Sequence, residues 1–202
     1  MQKNEPEKSR RDENTEATRH ALLLAGRELF ADMGYQATGI EAISKAARLT
    51  RGACYHHFED KKALFDAVVV SMQAEAAIKI GTRAKAERNV WSRLSIGIDA
   101  YLDASVEPDY RRIVIQEAPA ILGDGRYGEI EETYPLAHLI ATLKALKRQG
   151  EINFDDIDLL SRMIDAMICK MAVMLSESDD PVHLRSQGQQ IIDSLLSCFR
   201  RT

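Results

Sequence analysis

The stretch from Thr38 to Lys61, TGIEAISKAARLTRGACYHHFEDK, constrains the fold of this chain more than any other. Thr38 and Glu41 have the S/T-x-x-E spacing of a capping box, which predicts a helix from near Gly39. Ile43, Ala46 and Ala47 then share one helical face. A tight turn falls at Arg48 and Leu49. Thr50 has the chemistry of an N-cap for a second helix over 51–58, and Asp60 that of a cap for a third helix beginning at Lys61. A short helix, a three-to-four-residue turn and a second short helix make a helix-turn-helix, whose second helix enters the DNA major groove.

The polarity of the second helix fits that geometry. Cys54 and Phe58 are four residues apart and face Ile43, Ala47 and Leu49, so they belong to a core. The opposite face carries Arg51, Gly52, Ala53, Tyr55, His56 and His57, which are donors, aromatics or very small residues. Arg51 can read guanine or bind phosphate. Gly52 and Ala53 let the backbone approach, and Tyr55 and the histidines can donate to phosphate oxygens. Lys61 lies in the first turn of the next helix, where ammonium and helix N-terminus can both attract phosphate. With Thr38 and Thr50 at the helix starts, these residues form the candidate DNA-binding set. Cys54, His56, His57, Glu59 and Asp60 are also metal-ligand types. On a helix, however, Cys54 points inward and the histidines splay apart, which does not suit tetrahedral coordination.

These residues resemble the N-terminal signature of the TetR (tetracycline-repressor) family of bacterial transcription regulators. Phe30, Gly34, Tyr35, Thr38, Ile43, Ala47, Gly52, Tyr55, Phe58, Lys61 and Leu64 fall in register with it. Two positions depart: Arg48 stands where the family has a turn glycine, and Ser44 where it has alanine. Arginine takes positive φ only at a cost, so the turn is expected to be tighter on the helical side. RRIVIQEAPAILG, residues 111–123, also resembles a pattern common in one subgroup of the family. The resemblance implies an all-α fold, with an N-terminal three-helix helix-turn-helix domain and a C-terminal helical ligand-binding and dimerisation domain. It further implies a homodimeric repressor that leaves a palindromic operator when a small-molecule effector binds.

Composition narrows the alternatives. Hydrophobic residues make up 45% and aromatics 6% of 202 residues, and few β-branched runs occur, which leans all-α. The net charge of −4 argues against a general nucleic-acid coat. Residues 1–65 hold 11 Lys/Arg against 10 Asp/Glu, and the remainder 16 against 21, so a near-neutral head precedes an acidic body. Cys54, Cys169 and Cys198 have no paired spacing and read as small apolar residues in a reducing cytoplasm. The charged N-terminus gives no sign of a signal peptide, and no apolar run approaches a membrane span. No nucleophile-base pair, phosphate loop or HExxH motif appears, so no catalytic residue, metal or cofactor is assigned.

Along the chain, residues 1–14 are expected to form a flexible arm: either a solvated tail, or one whose Lys8, Arg10 and Arg11 reach the DNA backbone or minor groove. Residues 15–66 form the expected DNA-binding domain (helix-turn-helix about 39–58), and 67–202 the effector-binding and dimerisation domain. Thr15 is the expected cap of a first helix over 16–33, with Ala21, Ala25, Leu29 and Met33 as its stripe, Leu22 and Phe30 beside it, and Gly34 as its stop. The helix from Lys61 should run to about 82, a connector between head and body. Further helices are expected over 90–105, from Pro108 to 122 with a disturbance at Pro119, over 126–149 with a break at Pro135, over 154–177 with Asn153 and Asp156 at the cap, and from Pro181 to about 200. Gly123, Asp124 and Gly125 read as a loop.

The last two helices carry more than one apolar stripe. Either they form a broad core within one subunit, or they make a four-helix bundle with a second copy through Met171, Met174, Leu184, Ile191, Leu195 and Phe199. The family resemblance implies the second. It also implies a cavity in the body, for which Met72, Trp91, Tyr101, Ile115, His138, Met163 and Met167 are candidate lining residues; methionines and aromatics at this spacing serve equally as plain core. Two other function classes stay open at this stage: an all-α interaction module without DNA binding, and a metal protein or enzyme built on the Cys54–Asp60 cluster.

Overall fold

The computed structural model describes the backbone from Arg10 to Arg201 and the side chains from Asn14. Eleven α-helices and one π-helical stretch account for nearly all of the described residues, and the sole β pairing among them is the isolated bridge between Ile152 and Arg200. None of the described helices is long and apolar enough to cross a membrane. The chain divides into two compact units at Val68/Val69.

The first unit holds α1 (Arg10–Ala37), α2 (Ile40–Ala46), α3 (Arg51–His57) and the start of α4 (Lys61–Lys85). α1 begins at Arg10, not after a cap at Thr15, because nothing in RRDEN breaks a helix. Part of the expected arm is therefore helical, and Lys8 lies outside the described residues. The helix breaks at Gly34, whose φ of 80° and ψ of 166° leave the helical region. Its buried stripe is Leu22, Ala25, Gly26 and Phe30; Met33, expected in that stripe, is exposed. The stripe lies about one position round from Ala21-Ala25-Leu29-Met33 because Phe30 and Leu22 anchor it. Phe30, Tyr35 and Phe65 form an aromatic cluster, with Phe65 edge-on to both of the others at 5.0 Å.

The second unit is a helical body. α4 ends in it, followed by α5 (Val90–Val106), α6 (Pro108–Tyr110), a π-helical stretch (Arg111–Glu117), α7 (Ala118–Leu122), α8 (Asp124–Thr133), α9 (Pro135–Arg148), α10 (Ile157–Glu177) and α11 (Pro181–Cys198). α5, α9 and α10 pack on one another, and the π stretch packs on α10. Asn89, Asp156 and Asp180 cap α5, α10 and α11, each accepting from the backbone N–H three residues on. Asn153 does not cap, because α10 begins three residues after the expected start. Pro119 does not kink a long helix as a proline in a helix interior does. The helix widens to π geometry immediately before it, and the proline then occupies the first turn of α7, where its missing N–H leaves no gap. The expected loop at Gly123-Asp124-Gly125 shrinks to Gly123 alone (φ 82°); Gly125 lies within α8.

Arg185 of α11 fastens the body from within. Its Nη2 donates to Asp99 Oδ1 at 3.2 Å and to Asp103 Oδ1 at 2.8 Å, and Asp103 Oδ2 also accepts from Arg83.

Candidate nucleic-acid interface

α2, the turn and α3 present the motif as a rigid surface. α2 starts at Ile40 with Gly39 as an N-cap that makes no side-chain cap bond, so the Thr38–Glu41 capping box does not form. Thr38 is buried, and its hydroxyl turns back to donate to Gly34 O at 2.8 Å and Leu29 O at 3.1 Å. It ties α2 to the end of α1, and its hydroxyl is not available to DNA. The buried face of α2 is Ile40, Ile43 and Ser44; Ala46, expected there, is exposed. The Ser44 hydroxyl donates to Ile40 O at 2.9 Å, so the serine fits an alanine-type position without an orphaned polar group.

Arg48 has φ 57°. The turn therefore keeps the left-handed conformation that glycine favours, and the expected tightening toward helical geometry does not occur. The reason is the hydrogen-bond closure of α2: Arg48 N donates to Lys45 O and Leu49 N to Ser44 O at 2.8 Å, a pattern that requires a left-handed residue between them.

Thr50 Oγ1 accepts from Ala53 N at 3.1 Å and caps α3. Cys54 is buried, and burial pushes its thiol pKa up, as befits a core residue. Arg51, Gly52, Tyr55 and His56 are exposed, Ala53 and His57 half-buried. A Cβ at Gly52 would meet only Thr50 Oγ1, at 3.9 Å, so this part of α3 is open to a close neighbour. Arg51 Nη1 donates to Glu41 Oε1 at 2.6 Å, and its guanidinium lies 5.4 Å from the Tyr55 ring centroid. Burial, then the neighbouring His56 and Arg19, hold the His57 imidazole below its usual range. Lys61 Nζ donates to Tyr35 O at 2.8 Å and stands 4.2 Å from that ring's centroid. Its ammonium ties α4 to the end of α1. Glu41, which holds Arg51, was read from the sequence only as the capping-box partner of Thr38; its position ten residues before Arg51, on the exposed side of α2, is the signal for its second role.

In the body, Tyr101 and Ile115 line a cavity of about 290 Å³ together with Tyr127, Glu131 and Cys169. Tyr101 also borders a smaller one of about 60 Å³, beside His138 and Asp165. The His138 ring rests on α4 at Gly81, where a Cβ would come within 2.9 Å of it. Met72 is buried away from both cavities, Trp91 stacks under Arg200 at 5.6 Å, and Met163 is 65% exposed, so these three line neither cavity. Met167 borders a groove between α10 and α11 with Met171, Met174, Leu184 and Ile191. Met174, Ile191 and Leu195 are exposed, whereas Met171 is buried, its side chain pressed on Gly188 of α11. Phe199 is half-buried, edge-on to Phe154.

Comparison with known proteins agrees with this geometry. Residues 22–68 match the family described as bacterial regulatory proteins, tetR family, and residues 91–199 match the tetracyclin repressor-like C-terminal domain. The TetC protein of transposon Tn10 from Escherichia coli is 30% identical over 166 residues, 82% of this chain and 84% of that protein. The transcriptional repressor Rv1474c of Mycobacterium tuberculosis is 25% identical over 95% of this chain and 97% of its own length. The crystal structure of a TetR-family regulator from Pectobacterium atrosepticum superposes with a TM-score of 0.83 at 29% identity, covering 96% of this chain and 99% of that one. The chain therefore belongs to the TetR family of bacterial regulatory proteins and is a helix-turn-helix DNA-binding transcriptional regulator.

Proposed function

We propose that this regulator is a homodimeric repressor that holds a palindromic operator and releases it when a small molecule enters the body. The observation that carries the reading is the exposed face of α3, with Arg51 and Tyr55 at its centre and Gly52 leaving the backbone open. Arg51 reads a base edge, Tyr55 and the histidines hold phosphates, and Thr50, Thr38 and Lys61 set the angle of α3 instead of contacting DNA through free side chains. The unit to Val68 is the DNA-binding part. The unit from Val69 receives the effector and pairs the subunits through the exposed apolar residues of α10 and α11, Met174, Ile191 and Leu195. A two-fold pair of heads reads half-sites about one helical turn apart. Coupling runs through α4, which begins in the head and borders the smaller cavity with Ile80 and Ala84. Operator and effector favour different placements of that helix, so each weakens the other's binding.

Selection of binding sites from a random duplex pool at two salt concentrations tests this. A palindromic motif whose affinity falls steeply with salt is expected. A folded, dimeric protein that enriches no motif overturns the proposal.

A further inference from the structure

Outside the helix-turn-helix, α1 brings one more cation to α3. The two helices pack on each other, and Arg19 of α1 is exposed beside the end of α3. Its guanidinium carbon lies 5.4 Å from the centroid of the Phe58 ring. Phe58 is buried and forms the C-cap of α3. The His57 ring lies 6.4 Å from that same ring and 5.4 Å from the ring of His56. Burial is the first cause of the lowered His57 pKa, and the charges of His56 and Arg19 add to it, so Arg19 stands close enough to His57 to be felt there. The acids nearest in sequence are Glu16, Glu59 and Asp60. Among the described residues none of them is in a salt bridge with Arg19, and Asp60 caps α4 by accepting from Ala63 N. Arg51, by contrast, is paired with Glu41. Arg19 is thus an exposed cation positioned by an aromatic ring and not by a carboxylate.

The length of α3 says what this cation can meet. Arg51 and His57 are six residues apart, about 9 Å along the helix axis. The major groove is about 12 Å wide. With Arg51 at a base edge, the other end of α3 comes to the phosphate wall of the groove. A guanidinium matches phosphate oxygens with two parallel N–H donors, and an imidazole keeps at least one N–H donor in either protonation state. The Phe58 ring holds the guanidinium in place before DNA arrives, so less side-chain freedom is lost on contact.

We infer that Arg19 of α1 and His57 of α3 together hold one DNA backbone phosphate, which anchors the end of α3 opposite Arg51. The inference rests on the reading of the exposed face of α3 as the DNA-contacting face. Such a contact carries no base preference; it fixes the orientation of the recognition helix.

The test is fluorescence anisotropy of the full chain with a labelled duplex of random sequence and with the motif enriched by selection, across roughly 50–200 mM salt. Arg19→Gln keeps much of the stem and removes the charge. It should weaken both duplexes alike, by about three- to tenfold, and reduce the slope of log affinity against log salt by about 0.9 for each subunit bound. Arg19→Lys should keep the slope, which separates the charge from packing on Phe58. His57→Ala should weaken binding severalfold, and the double variant should lose less than the product of the two single losses, because both residues serve one phosphate. Melting curves of each variant accompany the titrations. An unchanged slope in Arg19→Gln, a loss of slope in Arg19→Lys equal to that in Arg19→Gln, altered base preference, or fully multiplicative losses would overturn the inference. The two duplexes separate it from the proposed function. If no motif is enriched but binding to random duplex keeps its dependence on Arg19, the phosphate contact stands and the operator reading fails. If a motif is enriched and Arg19→Gln binds it with an unchanged slope, the operator reading stands and the phosphate contact fails.

Discussion

Arg48→Gly should stabilise this protein, although it deletes a whole side chain. Arg48 is exposed and sits at φ 57° in the turn between α2 and α3. Its side chain makes no hydrogen bond or ion pair among the described residues, so nothing in the fold is lost with it. A left-handed L-residue costs about 1–2 kcal/mol. Glycine removes that strain but gives the unfolded chain extra freedom worth about 0.4–1 kcal/mol. The net gain should be about 0.5–1 kcal/mol, a rise in Tm of about 1–4 °C for a chain of this length. Arg48→Ala separates backbone from side chain: it removes the guanidinium but keeps the Cβ, and should leave stability within about 0.5 kcal/mol. Circular dichroism melts and urea titrations of all three proteins, at one fixed concentration because dimerisation would couple to unfolding, measure the differences. If Arg48→Gly is neutral or destabilising, or if Arg48→Ala gains as much, the turn holds no backbone strain and the argument is refuted.

Four further outcomes follow from the same geometry. Thr38→Val should cost about 1–2 kcal/mol, because a buried hydroxyl bonded to two carbonyls is lost; it should weaken DNA binding only through that loss, which a urea titration beside a gel-shift series would show. Arg51→Ala should weaken operator binding by about 1–3 kcal/mol and relax preference at one base, measured on a panel of single-base operator variants. Asp165→Asn should be stabilising at pH 7 by on the order of 1–2 kcal/mol. The Asp165 pKa is raised in the folded state, so the favourable contribution is present below its unfolded value and is lost as pH climbs through about 6; melts of both proteins between pH 4 and 8 should therefore diverge upward through that window. Arg185→Ala should cost about 1–2 kcal/mol by freeing α11 from Asp99 and Asp103, part of that loss being screened at their exposed edges, and salt-dependent melts check it.

The helices and the motif were legible because their signals are local. Asp180-Pro181, Gly150 and the Thr50 cap announce element ends through backbone chemistry that tertiary packing has no reason to override. Errors arose where one signal had two readings. Thr38 has capping-box spacing to Glu41, but Gly34 O and Leu29 O lie within reach of its hydroxyl, and a buried hydroxyl goes to a fixed carbonyl before it caps an exposed turn. Pro119 looked like a kink because sequence cannot show that the preceding turn widens. The influence of Glu131 on Asp165 was not legible, since the two lie 34 positions apart and belong to different helices of the body. The one local hint was Asp165 and Cys169, two polar groups four apart on a half-buried side of α10.

The structure also shows how α3 is held ready before any DNA arrives. Arg51 has one lateral restraint, Glu41, and one stacking restraint, Tyr55. Both partners of the ion pair are more than half exposed, so solvent screens the pair and it contributes little. That is too little to oppose a bidentate contact with guanine, at about 1–3 kcal/mol, yet enough to keep a long side chain from sampling all its rotamers. On the proposed reading Arg51 stays on Glu41 beside a wrong base and exchanges it for guanine beside the right one. On that reading the weak pair holds Arg51 on the exposed side of α3, beside the Tyr55 ring, before a base is met.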